Sequence, residues 1–280
     1  MTSVGSPPSP QKKRVIAYVD GFNLYYGLKK ASRDADREHL KHGGDRSKCL
    51  GRSLYWLDVK RFMLRQVRAQ EACTQIRYYS APRRIPESVA ITRRQRAGFV
   101  ASNERQRVYL EALRTLEPDL KVVLGWYTEN EPHHCWMCGH RRAHFEEKET
   151  DVNIAVDMVT HAHQNLFDTA IVLSADADLA PALKVVRSYG KQVRLILAPG
   201  RKRADLLRSL ASEVVVVKIR SLRNFILPDP IARVGFPSIS CPEEWKQPAD
   251  WVWGGRSWHP LRRLLHLGRW GIEKAERLLS

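Results

Sequence analysis

Two aspartates, Asp176 and Asp178, follow directly after the apolar run TAIVL in the segment LSADADLAP. Neighbouring carboxylates repel each other and are costly to desolvate unless a cation or a base compensates them. Asp20 likewise ends the apolar run RVIAYVD, and Asp151 opens a helical pattern in KETDVNIAVD. Carboxylate and water oxygens are the ligands that Mg²⁺ and Mn²⁺ prefer. We therefore expect these four acids to hold such an ion if the fold gathers them.

Each acid also has a purely structural interpretation. Asp20 with the following glycine can form a turn, Asp151 can favour a helix N-terminus by its charge, and Asp178 can cap a helix. Asn23 either orients Asp20 or a metal-bound water, or it caps a first helical turn. Asp157 lies six residues after Asp151, about 240° around an ideal helix, so we expect it to have a structural role or to support a site residue.

The elements that must position these acids alternate between strands and helices. Short apolar runs predict strands at 13–20, 73–80, 120–127, 169–174, 191–197 and 213–218. Helical patterns fall between them, at the segment GFNLYYGLKKA and at 57–70, the later part of 83–114, 151–163, 179–189 and 203–210. The polar, glycine-containing segment 34–53 is predicted to be a loop. This alternation predicts an α/β fold with a central parallel sheet covered by helices on both faces.

Functional groups of such sheets cluster beyond the carboxyl ends of the strands. Asp20, Asp176 and Asp178 each come directly after a predicted strand, and Asp151 begins a helix. The sequence therefore predicts that all four acids meet at one edge of the sheet.

Composition divides the chain into three parts. Residues 1–12 are predicted to be a disordered tail, residues 13–227 the α/β domain, and residues 228–280 a proline- and tryptophan-rich extension. Five of the eight tryptophans fall in this extension, and Pro260 is placed to open a terminal helix. We expect the extension to pack on the core, on a protein partner or on a second copy of the chain.

The formal net charge of +17 indicates a polyanionic partner. Nucleic acid is the first candidate. An anionic membrane surface is the alternative, but the glycines and scattered charges of the predicted last helix argue against it, so we expect no membrane partner. No run of about 18 apolar residues predicts a membrane span, and the first residues lack a secretory signal. The five cysteines form no disulfide framework, which indicates a reducing, cytoplasmic location.

Three separated segments resemble the NYN (LabA-like) domain family of the PIN-like nuclease superfamily. They are VDGFNLYYGLKK, KETDVNIAVDMV and FDTAIVLSADADLAPALKVVRSYGKQVRLILAPG, within about residues 13–220. The resemblance implies a Rossmann-like fold and cleavage of RNA by a metal-binding acidic cluster. By motif, the family's site residues fall on Asp20, Asn23, Asp151, Asp176 and Asp178, with Ala175 where the family commonly has glycine.

Two other functions stay open. The first is a non-catalytic RNA-binding or regulatory module that retains the fold and the acids. The second is a protein-interaction scaffold that uses the tryptophan-rich extension.

A cysteine and histidine segment, HHCWMCGHRRAH, precedes the Asp151 helix. The pair Cys135 and Cys138 is half of a zinc site, and His140 and His144 are candidate partners. The interpretation is a structural Zn²⁺ that braces the loop; the alternative is a reduced turn without metal.

Candidate RNA-binding residues are basic side chains that can contact phosphates: Arg83, Arg84, Arg93, Arg94, Arg96, Arg201, Lys202 and Arg203. Tyr78, Tyr79, Phe99 and Trp126 can stack on unpaired bases, or they simply pack in the core.

Overall fold

The structure, a computed structural model, describes residues 11–45, 49–82, 92–134, 137, 141–201 and 204–246. The side chains of residues 129–134 and 141–147 lie outside this description. The predictions for Cys135, Cys138, His140, Arg83, Arg84, Lys202 and Arg203, for the side chain of His144, and for residues 1–10 and 247–280 therefore fall outside the described part.

Six parallel strands form the central sheet, as the sequence predicted. They are β1 (Lys13–Asp20), β2 (Glu71–Ser80), β3 (Leu120–Leu124), β6 (Thr169–Leu173), β7 (Gln192–Leu197) and β8 (Glu213–Val216). The spatial order is β3-β2-β1-β6-β7-β8, and all neighbouring pairs are parallel. Numbered in chain order, this is the 3-2-1-4-5-6 order of doubly wound sheets, whose direction of winding reverses between β1 and β6. Ligands of such sheets bind in the crevice at the carboxyl ends of those two strands.

Six α-helices cover the two faces of the sheet. They are α1 (Gly21–Lys41), α2 (Val59–Leu64), α3 (Arg93–Leu116), α4 (Thr150–His163), α5 (Ala180–Ser188) and α6 (Asp205–Leu210). Alternate residues of β1 point to opposite faces. Val15, Ala17 and Val19 pack with α1, α2 and α3, whereas Ile16 and Tyr18 pack with α4, α5 and α6. The prediction of an α/β fold with a covered parallel sheet is therefore confirmed.

The first helix is longer than the sequence indicated. The predicted loop at 34–53 is wrong in its first part, because α1 continues to Lys41. Ion pairs four residues apart, between Lys30 and Asp34 and between Glu38 and His42, support a helix in this polar stretch. The predicted helix 57–70 is shorter, and α2 covers only Val59–Leu64.

The predicted strand 120–127 is divided at Gly125. A Cβ at Gly125 would lie 2.5 Å from the carbonyl oxygen of Lys148, so only glycine allows this close approach. Beyond it, β4 (Trp126–His134) and β5 (Arg141–Lys148) form a separate antiparallel hairpin. The sequence predicted a polar loop here, because alternation in this segment is hidden by histidine, glutamate and arginine.

The domain core continues beyond the last strand of the main sheet. The strands β9 (Ile231–Arg233) and β10 (Phe236–Ile239) form a small antiparallel pair. Ile231, Ile239 and Trp245 are buried in the same cluster as α1 and α3, and the Trp245 ring lies 5.7 Å from that of Tyr55. The beginning of the extension, up to residue 246, thus packs on the α/β domain.

Candidate active site at the carboxyl edge of the sheet

Asp20 lies at the end of β1 and caps the first turn of α1. Its Oδ1 accepts a hydrogen bond from the backbone N–H of Asn23 at 2.8 Å. The capping bond satisfies one of the amides that a helix N-terminus leaves without a partner, and the helix dipole favours an ionised group there. Only 4% of Asp20 is exposed, so its carboxylate is fixed inside the edge of the sheet.

Ser174 joins Asp20 to the segment that follows β6. Its hydroxyl donates to Asp20 Oδ2 at 2.9 Å and accepts from the backbone N–H of Asp176 at 3.0 Å. Val19 pairs with Leu173 in the sheet register, so the next residue of each strand faces the other. Ser174 is 1% exposed and was not among the predicted site residues. The signal in the sequence was its position as the first polar residue after the strand.

The two aspartates after β6 have different positions. Asp176 is half-buried, and its Oδ1 accepts from the backbone N–H of Asp178 at 3.0 Å. Its Oδ2 has no hydrogen-bond partner among the described residues, so this oxygen is available to a ligand. Asp178 is exposed and lies in the middle of the 3₁₀ turn Ala177–Leu179, which Asp176 caps and which leads into α5; Asp178 does not cap α5. The structure thus assembles Asp20, Ser174 and Asp176 as one chain of hydrogen bonds.

Asn23 brings a further oxygen into this region. The residue is 8% exposed, and its side-chain Oδ1 is buried without a hydrogen-bond partner within the described residues. A buried acceptor without a partner is costly, and a bound cation or water would offset that cost. This observation favours the interpretation of Asn23 as a ligand-facing residue.

Asp151 lies in the first turn of α4 and is half-buried. The helix packs against the turn at 177–179 and against β1, which places its N-terminal part on the side of the sheet where β6 ends. Even so, among the residues that the structure describes, no three His, Cys, Asp or Glu side chains are close enough to hold a metal ion. The gathering of all four acids around one ion therefore stays a prediction.

Tyr78 lies beside Asp20 at the end of β2. Burial, together with the negative charge of Asp20, raises the pKa of Tyr78 well above its usual value. The phenol therefore stays protonated at neutral pH. A Cβ at Gly21 would lie 2.7 Å from the Tyr78 ring, so glycine after Asp20 lets α1 start against β2.

The aromatic candidates separate by their exposure. Tyr78 and Tyr79 are buried in the core and cannot stack on a base. Trp126 is 53% exposed at the start of β4, so its ring remains accessible. Phe99 is half-buried on α3.

The basic candidates that the structure describes lie on two elements. Arg93, Arg94 and Arg96 are exposed in the first turns of α3. Arg201 follows β7, where Pro199 and Gly200 pack against Gly27 of α1. Its Nε is buried without a hydrogen-bond partner in the described part of the chain. The loop after β7 also lies at the carboxyl edge of the sheet, next to the segment after β6.

The order of the sheet and the polar groups at its switch point define a doubly wound α/β domain with an acidic site. The NYN domain family matches residues 14–218, and the chain belongs to this family, which is part of the PIN-like nuclease superfamily. The resemblance inferred from the sequence motifs is thus confirmed.

A curated relative is 6-hydroxy-3-succinoylpyridine 3-monooxygenase HspA of Pseudomonas putida, which is 27% identical over 207 residues. The match covers 63% of this chain and 56% of that protein, so the chain spans little more than half of the relative's length. A solved structure of a protein of unknown function from Vibrio parahaemolyticus is 17% identical with a TM-score of 0.43. It covers 76% of this chain and 97% of that one.

None of the helices in the described part is both long and apolar enough to cross a membrane.

Proposed function

We propose that the chain is a metal-dependent ribonuclease that hydrolyses phosphodiester bonds at the edge formed by Asp20, Asn23 and Asp176. The observation that carries this proposal is the hydrogen-bonded chain from Asp20 through Ser174 to Asp176 at the switch point of the sheet. Membership in a nuclease-like family supports the same reaction class and a nucleic-acid substrate. The choice of RNA rests on the motif resemblance.

The donor set fits a magnesium or manganese ion. Mg²⁺ sites commonly use one or two carboxylates, and water and substrate phosphate oxygens complete the shell. Asp20, Asp176 and the amide oxygen of Asn23 would supply the protein ligands, with Asp151 and Asp178 as further candidates. Such an ion, when bound, provides an activated water at neutral pH and positive charge beside the phosphate.

The residues of the chain have their own tasks in this mechanism. Ser174 holds the Asp20 carboxylate in one orientation and keeps the Asp176 backbone beside it. Asp178 would accept a proton or add a ligand at the exposed rim. Arg201 would bind a phosphate oxygen, because it lies on the neighbouring loop and its buried Nε–H has no hydrogen-bond acceptor among the described residues. Arg93, Arg94 and Arg96 would contact the strand further away.

The decisive experiment compares wild type with Asp176→Asn on a labelled RNA, with Mn²⁺, Mg²⁺ or EDTA. Asp119→Asn is the matched control, because it removes the same charge from a side chain that is 86% exposed at the start of β3. We expect cleavage by wild type and the control, abolished by EDTA and reduced at least 100-fold in Asp176→Asn, as when a group that stabilises the transition state is lost. Cleavage that survives both EDTA and Asp176→Asn would refute the proposal.

The alternative is a non-catalytic RNA-binding module. It predicts salt-dependent RNA binding by wild type without any metal-dependent cleavage. The same preparation distinguishes the two, because binding in EDTA and cleavage in Mn²⁺ are measured separately.

A structural zinc site at Cys135, Cys138, His140 and His144 is part of the proposal. The four positions fall within ten residues of the sequence, from Cys135 to His144. Elemental analysis should give about one zinc per chain, lost in Cys138→Ser. An equal zinc content in both proteins would contradict this site.

A cytoplasmic location and a partner for the extension also remain proposals. The described cysteines, Cys49, Cys73 and Cys241, form no disulfide bond, which fits a reducing compartment. Light scattering on the full chain and on a chain ending at residue 246 would test whether residues 247–280 mediate self-association.

A further inference from the structure

A cavity of about 490 Å³ lies along α1, more than two turns beyond the candidate active site. Its walls are one side of α1 and the segment 51–55 that folds back onto it. The charged and aromatic residues that line it are Lys29, Arg33, Asp36, Arg37, Arg52 and Tyr55. No predicted site residue belongs to this set.

The cavity is strongly positive. Lys29, Arg33 and Arg37 follow each other at four-residue steps, and Arg52 stands on the opposite wall. None of these four cations makes a hydrogen bond or ion pair with a carboxylate within the described residues, although Asp34 acts electrostatically on Arg33 and Arg37, and Glu244 on Arg52. By contrast, the neighbouring Lys30 on α1 is paired with Asp34 at 2.8 Å. Like charges that share one cavity repel each other, so an anionic ligand is the natural compensation.

The one acid in the cavity does not neutralise these cations directly. The two oxygens of Asp36 accept hydrogen bonds from the backbone N–H groups of Leu50 and Gly51, at 2.5 and 2.8 Å. Asp36 thus fastens the segment 50–51 to α1 and shapes the wall that carries Arg52.

Two more arginines add to this positive region. Asp36 and Arg220 both act electrostatically on Arg223, which is half-buried. Burial and the positive charge of Arg220 lower the pKa of Arg223 to about 10. Burial is the larger of these two causes, so Arg220 and Arg223 only add positive charge in the neighbourhood of Asp36.

Aromatic rings lie beside the cations. Tyr55 lines the cavity, and its ring centroid is 5.1 Å from that of Tyr25. Lys29 Nζ lies 6.0 Å from the centroid of Tyr26, a half-exposed ring nearer to Asn23 on the same helix. Tyr55 is only 7% exposed and forms part of the wall, so the half-exposed Tyr26 beside Lys29 is the ring that can contact a base.

We propose that this cavity binds the phosphodiester backbone of the RNA strand that leaves the active site along α1. The proposal rests on the proposed function for its substrate. At 1.5 Å per residue, Lys29 lies roughly 14 Å and Arg37 roughly 26 Å along α1 from Asp20. A strand of several nucleotides spans this distance, and a row of cations at about 6 Å steps can contact successive phosphates.

The test is the salt dependence of RNA binding. Labelled single-stranded RNA of about 20 nucleotides is titrated in EDTA, so that binding is measured without metal-dependent cleavage. The variant Arg33→Gln/Arg37→Gln is compared with Lys184→Gln/Arg187→Gln, which removes the same charge from exposed residues of α5 on the other face. The slope of log K against log salt is negative, and losing two phosphate contacts makes it shallower by about 1.4. When the salt is raised from about 50 to 200 mM, RNA binding by the variant should therefore weaken by a factor roughly sevenfold smaller than the factor for wild type.

A slope like that of wild type in Arg33→Gln/Arg37→Gln, or an equal change in the control, would overturn the inference. Wild type that binds no RNA would do the same. Competition separates the source of the phosphate: displacement of RNA by ATP at concentrations near the RNA Kd would show a free-nucleotide site instead.

The outcomes for the inference and for the proposed function can be told apart. A shallower slope without metal-dependent cleavage would support the cavity and refute the nuclease. Cleavage that depends on Asp176 with an unchanged slope would do the reverse. With active protein, the Arg33→Gln/Arg37→Gln variant should raise the KM of a 12-nucleotide substrate about tenfold and leave that of a trinucleotide unchanged, because roughly 20 Å separates Asp20 from Arg33.

Discussion

The hydroxyl of Ser174 should contribute more to the free energy of unfolding than an exposed serine hydroxyl does. It makes two hydrogen bonds inside the protein, one of them to the charged Asp20, and it is 1% exposed. In Ser174→Ala, Asp20 loses a donor, and the backbone N–H of Asp176 loses its acceptor. The side chain becomes only one atom smaller, so the change in packing is minor.

The expected loss follows from these two bonds. A hydrogen bond to a charged group contributes about 1.5–3 kcal/mol, and a buried donor left without a partner costs about 1–3 kcal/mol. In the variant, Asp20 and the Asp176 N–H lie at the edge of the sheet and can bond partly to water, which reduces the sum of these two costs. We expect the free energy of unfolding to fall by about 2–4 kcal/mol.

Urea denaturation at neutral pH measures this quantity, with an unchanged m value as the sign that the denatured state is the same. Ser188→Ala is the control, because its exposed hydroxyl bonds only to the carbonyl of Val185. The control should change stability by less than about 0.5 kcal/mol.

A double-mutant cycle with Asp20→Asn tests the reason for the effect. The amide keeps the shape of Asp20 but turns a charge-assisted hydrogen bond into a neutral one. The coupling energy should be about 1 kcal/mol, the difference between the two kinds of bond. If Ser174→Ala is as stable as the control, or if the two substitutions are additive, Ser174 does not join the two strands as described.

Two further predictions concern stability. Burial opposes ionisation of Glu71, but hydrogen bonds from Arg194 outweigh it and lower the pKa of Glu71 below its usual 4.5. The stabilisation from ionised Glu71 is therefore present above about pH 4.5 and is lost as the pH falls through the lower pKa of the folded state. In urea unfolding, Glu71→Gln should have a free energy of unfolding about 3 kcal/mol below that of wild type at pH 7, and the difference should be much smaller near pH 3. A difference that does not change with pH would contradict this. A Cβ at Gly27 would lie 2.9 Å from the Pro199 carbonyl oxygen, so Gly27→Ala should lower the free energy of unfolding by about 1–3 kcal/mol. A Cβ at Gly98 would meet open space, so Gly98→Ala should raise the free energy of unfolding by about 0.5–1 kcal/mol. Thermal unfolding measures both changes. Equal signs for the two glycines would refute that reasoning.

The parts of the fold that follow from local pattern could be predicted from the sequence. Apolar runs of strand length separated by helical patterns are sufficient to indicate a parallel sheet, and its topology places residues such as Asp20 and Asp176 at one edge. The length of α1 was missed because its second half is polar. In that half, Ser32 and Ala35 pack toward the core, and pairs such as Lys30 with Asp34 add local support to the helix.

What could not be predicted depends on distances between elements. The role of Ser174 appears only when β1 and β6 are neighbours, because its two partners are Asp20 and the Asp176 amide. The basic cavity appears only when Arg52 folds back against α1. Neither spacing nor composition contains these contacts, since each joins parts of the chain that the sequence does not relate.

The position of Asp151 depends on contacts made about two and three turns further along α4. Asp157 accepts hydrogen bonds from Arg77 at 2.5 Å and from the Tyr79 hydroxyl at 2.7 Å, both on β2. This is the structural role that its angular separation from Asp151 indicated.

His161, one turn further along α4, is hydrogen-bonded through Nδ1 to the hydroxyl of Tyr18 on β1 at 2.9 Å. Burial and the positive charge of Arg77 lower the pKa of His161, so the ring is neutral at physiological pH and this contact does not change there. Two polar contacts one helical turn apart, to two adjacent strands, fix both the rotation and the translation of α4. Asp151 is therefore carried on a helix that is joined to the central sheet by side-chain hydrogen bonds to β1 and β2.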